Sequence, residues 1–241
     1  MTPFFSCPAA WTHNRAGNTA IMKNSLDTCV AYAGGSPAYA HGRLMQLAQV
    51  AGRELDGHGN RVAAIAPIVF DAAGLPTGLR PLLLIGARLH DIGKRWVPPA
   101  ILYAPRRLTA PEWTIMMRHP AYGMTIVGRH VSHIPRIVRD CVLLHHERWD
   151  GSGYPHGLAG PDIPVMARIV GIADFIDALA SRRSYKPPVP MDVVRSILLR
   201  ERGRMFDPYL TDRAVRHYDR IIAARLAQSG NTGTEGNSGH V

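Results

Sequence analysis

His145-His146-Glu147-Arg148-Trp149-Asp150-Gly151-Ser152-Gly153-Tyr154-Pro155 couples two adjacent imidazoles to a run of turn-forming residues. Upstream, Pro135 is suited to open a helix, and Ile137, Val138, Cys141, Leu144 and His145 recur at helical spacing. The two histidines are therefore expected at a helix end, with Asp150-Gly151 turning the chain into a loop. Neighbouring helix positions point about 100° apart. Such a pair either serves two different metal ions or flanks one ion at the mouth of a loop. Two histidines alone are more often ordinary surface or core residues, so their meaning depends on what the rest of the chain brings to them.

Working back toward the N-terminus, Leu82 to Leu89 is an apolar run that reads as a buried helix, and it delivers His90-Asp91-Ile92-Gly93-Lys94. Gly93 suits a helix C-terminus. A neutral nitrogen donor and an anionic oxygen donor then stand side by side, and a carboxylate can bridge two cations. The plainer alternative is a helix-end Asp91 paired with Lys94. Further back, Leu44, Leu47, Ala48, Ala51, Leu55, His58, Val62, Ile65 and Val69 form one face of a long helix, which Pro67 is expected to bend or end. Glu54 and His58 lie one turn apart on it. Gly57 and Gly59 flank His58, although each glycine costs a helix about 1 kcal/mol against alanine. That placement suggests a close approach at this point.

Between these stretches, Thr109 with Pro111 and Glu112 forms a capping box. The helix it starts runs to His119-Pro120, where proline disfavours helical geometry at the residue before it, so His119 is expected at a junction. Downstream, Pro164 opens a helix to Ala180 that carries Asp174 and Asp177 on one face. A carboxylate on so apolar a helix is costly unless paired or bound to metal. Asp192 is suited to cap a helix over 193–202, and Pro208 to start a last one reaching Ala227. No strand pattern persists and no repeat is visible. The fold class is all-α, a helical bundle.

Composition bounds the function. The chain has 241 residues, enough for one sizeable domain, with 46% hydrophobic residues. Lys and Arg number 28 against 18 Asp and Glu, a net charge of +10. That balance favours nucleotides, phosphorylated ligands, nucleic acid or an acidic membrane surface, unless it merely reflects an arginine-rich proteome. Cys7, Cys29 and Cys141 form no C-x-x-C pattern and cannot all pair, which fits a reducing compartment. No apolar run approaches the roughly 20 residues of a membrane span, and residues 1–11 make a poor signal peptide. A cytoplasmic location is expected. Residues 1–40 read as a flexible or partly helical leader, 41–227 as the functional domain, and 228–241 as a disordered tail.

Glu54, His58, His90, Asp91, His119, His145, His146 and Asp174 together offer five imidazoles and three carboxylates on helices that must pack together. That set is enough for two metal ions and leaves room for a third. In order, spacing and flanking residues, the chain from about Glu54 to Pro208 resembles the HD-GYP domains of bacteria, a branch of the HD phosphohydrolases. The resemblance is carried by Glu54-x-x-x-His58 with Arg61-Val62, by Leu89 to Lys94, and by Leu108-Thr109, Glu112-Trp113, His119-Pro120 and Gly123. His145 to Pro155, Ile172-Ala173-Asp174, Asp177-Ala178-Leu179 and Arg183-x-Tyr185-Lys186 complete it. The chain departs from the family pattern at Ala104-Pro105-Arg106 and at Arg182, neither of them a metal position.

The resemblance implies an HD-type bundle with a metal centre in its core. It also implies a metal-dependent phosphodiesterase that opens cyclic di-GMP to linear pGpG and/or GMP. All eight residues would be metal ligands, for two or three divalent ions such as Fe, Mn or Ni, with Glu54 tied to the third. Asp91 would bridge two ions that supply hydroxide at neutral pH. Lys94 and Arg183 would balance phosphoryl charge, while Gly153, Tyr154 and Lys186 would shape the cleft. Protein partners in signalling, such as diguanylate cyclases, are admitted, and a nucleic-acid polymer is not expected. The competing readings are an HD hydrolase for another cyclic dinucleotide or nucleotide, and a module that binds cyclic di-GMP or a protein without turnover.

Overall fold

The computed structural model describes residues 37–181 and 187–229, with side chains from residue 42 onward. The chain order is α1 (Pro37–Ala72), α2 (Arg80–Leu89), α3 (Pro99–Leu102), α4 (Ala110–Met116), α5 (His119–His130), α6 (Arg136–Leu144), α7 (Val165–Ala180), α8 (Met191–Arg200), α9 (Pro208–Arg216) and α10 (Tyr218–Ser229). Short 3-10 turns cover Thr77–Leu79, Ile92–Trp96 and Gly160–Asp162. Among the described residues there are no strands, only the isolated bridges Asp150–Ala159 and Arg202–Phe206. The expectation of an all-α bundle holds.

α1 is two helices joined at a break. Glu54 is extended, and Leu55, Asp56 and Gly57 are left-handed, at φ of 51°, 58° and 73°. Only glycine adopts that region freely, and each other residue gives up about 1–2 kcal/mol there. The periodic face read from the sequence is buried on both sides of the break, whereas Leu55 at the break is only half-buried. Of the two outcomes expected at Pro67, a bend or an end, the helix does not end, for α1 runs on to Ala72. Ala66, Val69 and Phe70 around it are sealed in the core, and their burial offsets one missing backbone bond.

The first half of α1 joins α2, α5 and α6 around Leu44, Ile85, Leu89, Val127 and Val142. The second half joins α2 and α7–α10 around Val62, Ile65, Phe70, Ile169, Ile172, Ile176 and Leu198. α2 carries Leu89, His90 and Asp91 buried at its C-terminal end, and α7 is buried along Ile169, Ile172, Ala173 and Ile176, so residues beside these lie inside the bundle. The C-terminal helices differ from the sequence expectation. The helix capped near Asp192 begins at Met191 and ends at Arg200. The last predicted helix is two, because His217 leaves helical geometry and its N–H turns back to Arg213 and Val215. No helix among the described residues is long and apolar enough to cross a membrane.

Candidate metal centre

Each expected ligand arrives by a local device. α2 ends at Leu89, which puts His90 at its C-cap and Asp91 just before the Ile92–Trp96 turn. Gly93 therefore lies inside that turn and not, as expected, at a helix terminus. Its role is close approach, because a Cβ there would stand 1.8 Å from the His119 carbonyl oxygen. That contact seats the start of α5 on the Asp91 turn. His119 is the first residue of α5, at the junction its Pro120 neighbour predicts. The capping box of Thr109 and Glu112 forms as read. α6 starts behind Pro135, and His145 is its C-cap. His58 follows the left-handed break of α1, and Asp174 stands on the inner face of α7.

Two groups result. Asp91, His119, His145 and His146 form one, and His58, His90 and Asp174 the other; within each, the ligating atoms lie within 4.8 Å of one another. Asp91 stands between them. Its Oδ1 is 3.2 Å from His119 Nε2 and 3.8 Å from His145 Nε2. Its Oδ2 is 3.4 Å from His90 Nε2 and 3.6 Å from His58 Nε2. Asp174 Oδ1 is 3.0 Å from His58 Nε2 and 3.8 Å from His90 Nε2. Atoms that each sit about 2 Å from a shared cation are about 3–4 Å from one another. The spacing fits two cations with Asp91 spanning them.

The tautomers fit as well. His90 Nδ1–H donates to the Ala87 carbonyl at 2.7 Å and His119 Nδ1–H to Met116 at 2.8 Å. His145 Nδ1–H is shared by Cys141 and Val142, and His58 Nδ1–H donates to Asp177 Oδ2 at 2.7 Å. Carbonyls and carboxylates only accept, so Nδ1 carries a proton on each of the four rings and Nε2 is the atom aimed at the centre, a lone-pair donor whenever the ring is neutral. His119 Nε2 and His145 Nε2 face each other at 3.3 Å. Two lone pairs at that distance repel unless positive charge lies between them. His90 Nε2 and Asp91 Oδ1 are buried without a hydrogen-bond partner, and buried polar atoms ordinarily have one. A cation answers all three observations.

The electrostatics agree. Burial opposes ionisation of Asp91, but Lys94 and His90 outweigh it and hold the carboxyl well below its usual range. Burial is likewise outweighed at Asp174, by His58 and His90. Burial also opposes charging His90, yet Asp91 and Asp174 lift it to about 10. His58 rises for the same reason through Asp174 and Asp177. His146, on the other side, is pushed down to about 3 by burial above all, and His145 is lowered by burial and its neighbouring rings. The centre keeps its carboxylates anionic and draws in positive charge.

The remaining expected residues are placed as follows. Lys94 pairs through Nζ with Asp91 Oδ2 at the edge of the centre. Tyr154 stacks on His146, with ring centroids 4.7 Å apart, and meets His119 and Trp113 edge-on. Gly153 allows the loop to fold back, since a Cβ there would lie 2.3 Å from the Arg148 nitrogen. Glu54 stands apart from both groups, with its carboxylate 3.5 Å from Arg95 Nε. Arg183 and Lys186 lie outside the described residues.

Asp177, with Arg61 and Arg225 around it, and Glu147 carried no site expectation. Asp177 orients His58 and takes Arg61 Nε at 2.9 Å and Arg225 Nε at 2.8 Å. Glu147 accepts the His156 and Leu158 amides at 2.7 and 3.0 Å and so ties down the Gly153–Tyr154 loop. The signal for Asp177 was its spacing from Asp174; nothing in the sequence linked Arg225 to the site.

The family model described as HD domain matches residues 43–210. A 3′3′-cGAMP-specific phosphodiesterase 2 of Vibrio cholerae is 38% identical over 76% of this chain and 35% of its own length. The cyclic di-GMP phosphodiesterase response regulator of Xanthomonas campestris is 40% identical over 65% of this chain and 41% of its own. A cyclic di-GMP phosphodiesterase of Thermotoga maritima is 36% identical over 70% and 46%. The chain thus spans between about a third and a half of the length of these relatives. Among solved structures, an HDG"Y"P protein from Bdellovibrio bacteriovorus superposes with a TM-score of 0.57 at 21% identity, over 68% of this chain and 52% of that one. That likeness speaks to the fold. With the extent of the family match and the convergence of His90-Asp91 on the inner histidines, the chain belongs to the HD domain family.

Proposed function

We propose that the chain is a metal-dependent phosphodiesterase that hydrolyses cyclic di-GMP to linear pGpG and/or GMP, using two divalent ions drawn from Fe, Mn, Ni or similar metals. The observation that carries this reading is Asp91, with one carboxylate oxygen turned to each histidine group. Divalent cations, when bound there, lower the pKa of water and neutralise phosphoryl charge. The chain's own residues do the rest. His58, His90 and Asp174 would hold one ion, and His119, His145 and His146 the other, with Asp91 standing between the two groups. Lys94, at the rim beside Asp91, meets the phosphoryl oxygens. Tyr154, stacked over His146, would shape the cleft with Gly153 and Lys186, and Arg183 would join Lys94 in balancing phosphoryl charge. Glu54, paired with Arg95, favours two ions over three.

A second reading is a 3′3′-cGAMP hydrolase. It is favoured by the activity after which the Vibrio cholerae relative is named, a protein that aligns with this chain over 184 residues. The test is anaerobic purification with metal analysis, then chromatography of products from cyclic di-GMP, 3′3′-cGAMP and cyclic di-AMP. Turnover of cyclic di-GMP, abolished together with metal content in His90→Ala and Asp91→Ala, is the expected result. Full activity in either variant refutes the two-ion mechanism, and faster turnover of 3′3′-cGAMP exchanges the substrate for the second reading.

A further inference from the structure

Asp177 is fully buried, yet it belongs to neither metal group. Its Oδ2 receives His58 Nδ1–H at 2.7 Å and Ser181 Oγ at 3.2 Å. Its Oδ1 receives Arg61 Nε at 2.9 Å and Arg225 Nε at 2.8 Å. Arg61 belongs to the same helix as His58 and so moves with it. Arg225 does not: it stands on α10, beyond residues 43–210 that match the HD domain. Its Nη2 also donates to the Ala180 carbonyl at 2.8 Å and to Ser181 Oγ at 2.9 Å. One guanidinium thus ties the last turn of α7 to the carboxylate that aims His58.

We propose that Arg225 is a positioning residue for the His58–His90–Asp174 cation group, so that α10 completes the metal centre from behind. A ligating imidazole needs its second nitrogen fixed, and the group that fixes it typically governs metal affinity by 10–100-fold. A buried carboxylate in turn needs compensating donors to hold one orientation. With Arg225 removed, Asp177 keeps His58 and Arg61 of α1 and Ser181 of its own helix end, but loses the one donor among those described that comes from a third helix. The carboxylate that aims the His58 ring is then held less firmly, whereas Arg225 bonds none of Asp91, His119, His145 and His146. The planar guanidinium makes three bonds that a lysine ammonium reproduces only in part.

The inference rests on the two-cation reading, and its test uses the full chain and Mn²⁺ alone. Metal-free wild type, Arg225→Ala, Arg225→Lys and the exposed α10 control Arg220→Ala are titrated calorimetrically, with bound metal counted by mass spectrometry. Wild type and Arg220→Ala are expected to take two ions. Arg225→Ala should keep one at wild-type affinity and bind the other about 10–100-fold more weakly, with Arg225→Lys between. In a His58→Ala background the Arg225→Ala effect should vanish, because the residue acts through that ring. Unchanged affinity for both ions, equal weakening of both, or additive losses in the double variant each overturn the inference. Should Arg225→Ala not fold, Arg225→Lys is read by the same criteria. A wild type that takes up no Mn²⁺ refutes the hydrolase reading itself, whereas two ions in wild type and an unaltered Arg225→Ala refute only the positioning role.

Discussion

Gly93→Ala is a one-carbon change with a large expected consequence. A Cβ built on Gly93 lies 1.8 Å from the His119 oxygen, 2.4 Å from the Gly123 nitrogen and 2.8 Å from the His119 carbonyl carbon. Ordinary contact needs about 3.5 Å, so the start of α5 must retreat from the Asp91 turn by roughly 1.5 Å. All three atoms are backbone, and no side chain can rotate away. His119 Nε2, now 3.2 Å from Asp91 Oδ1, moves with the helix. Metal sites tolerate about 0.2 Å in ligand distance, so the group of Asp91, His119, His145 and His146 loses a ligand. Overpacking costs about 1–3 kcal/mol, and a chain of this size loses about 2–4 °C in Tm for each kcal/mol. The folded variant should retain one ion in place of two and lose at least about 100-fold in kcat. Metal counting, calorimetric melting and product chromatography on one preparation test this. A Gly93→Ala chain with two tightly held ions and wild-type turnover refutes the packing argument.

Glu147→Ala should raise KM for the cyclic dinucleotide more than it lowers metal content, since it frees the His156 and Leu158 amides that hold the Tyr154 loop; steady-state kinetics beside metal analysis decides, and loss of metal with unchanged KM refutes it. Burial pushes the Tyr218 hydroxyl up to about 12 while it donates to the Met191 carbonyl. Because the folded value is raised, the stability it contributes is complete below pH 10, the unfolded value, and declines as pH rises to 12; Tyr218→Phe should flatten a denaturant-melting series over that window. The Cys141 thiol is fully buried and its pKa raised, first by burial and then by Asp140. Peptide mapping after alkylation should find Cys141 unmodified until denaturant is added, and ready labelling of the folded chain contradicts that burial.

Much of the centre was legible because its parts obey local rules. Pro135 and Pro164 mark helix starts, Pro120 marks the His119 junction, and the apolar run before His90 delivers it inside the bundle. What escaped was non-local or backbone-driven. The left-handed step at Leu55–Gly57 interrupts a hydrophobic face whose period runs on across it, so periodicity could not reveal it. Pro67 was read by its own chemistry, yet the burial of Phe70 and its neighbours decided the outcome. Glu54 sits one turn before His58 in an unbroken helix; the break turns it toward Arg95 instead. Gly93 looked like a terminator because a sequence does not display the carbonyl of a residue 26 positions later resting against it. Arg225 is 48 residues from the carboxylate it holds, with no spacing to betray the contact.

The facing Nε2 atoms of His119 and His145 carry a consequence for the life of the chain. A cage whose bars push one another apart is quiet only around a guest, so ion uptake and the last stage of compaction draw on the same free energy. Scarcity of metal would then shorten survival against proteases as well as slow turnover, and cellular abundance of this protein should track the ion supply.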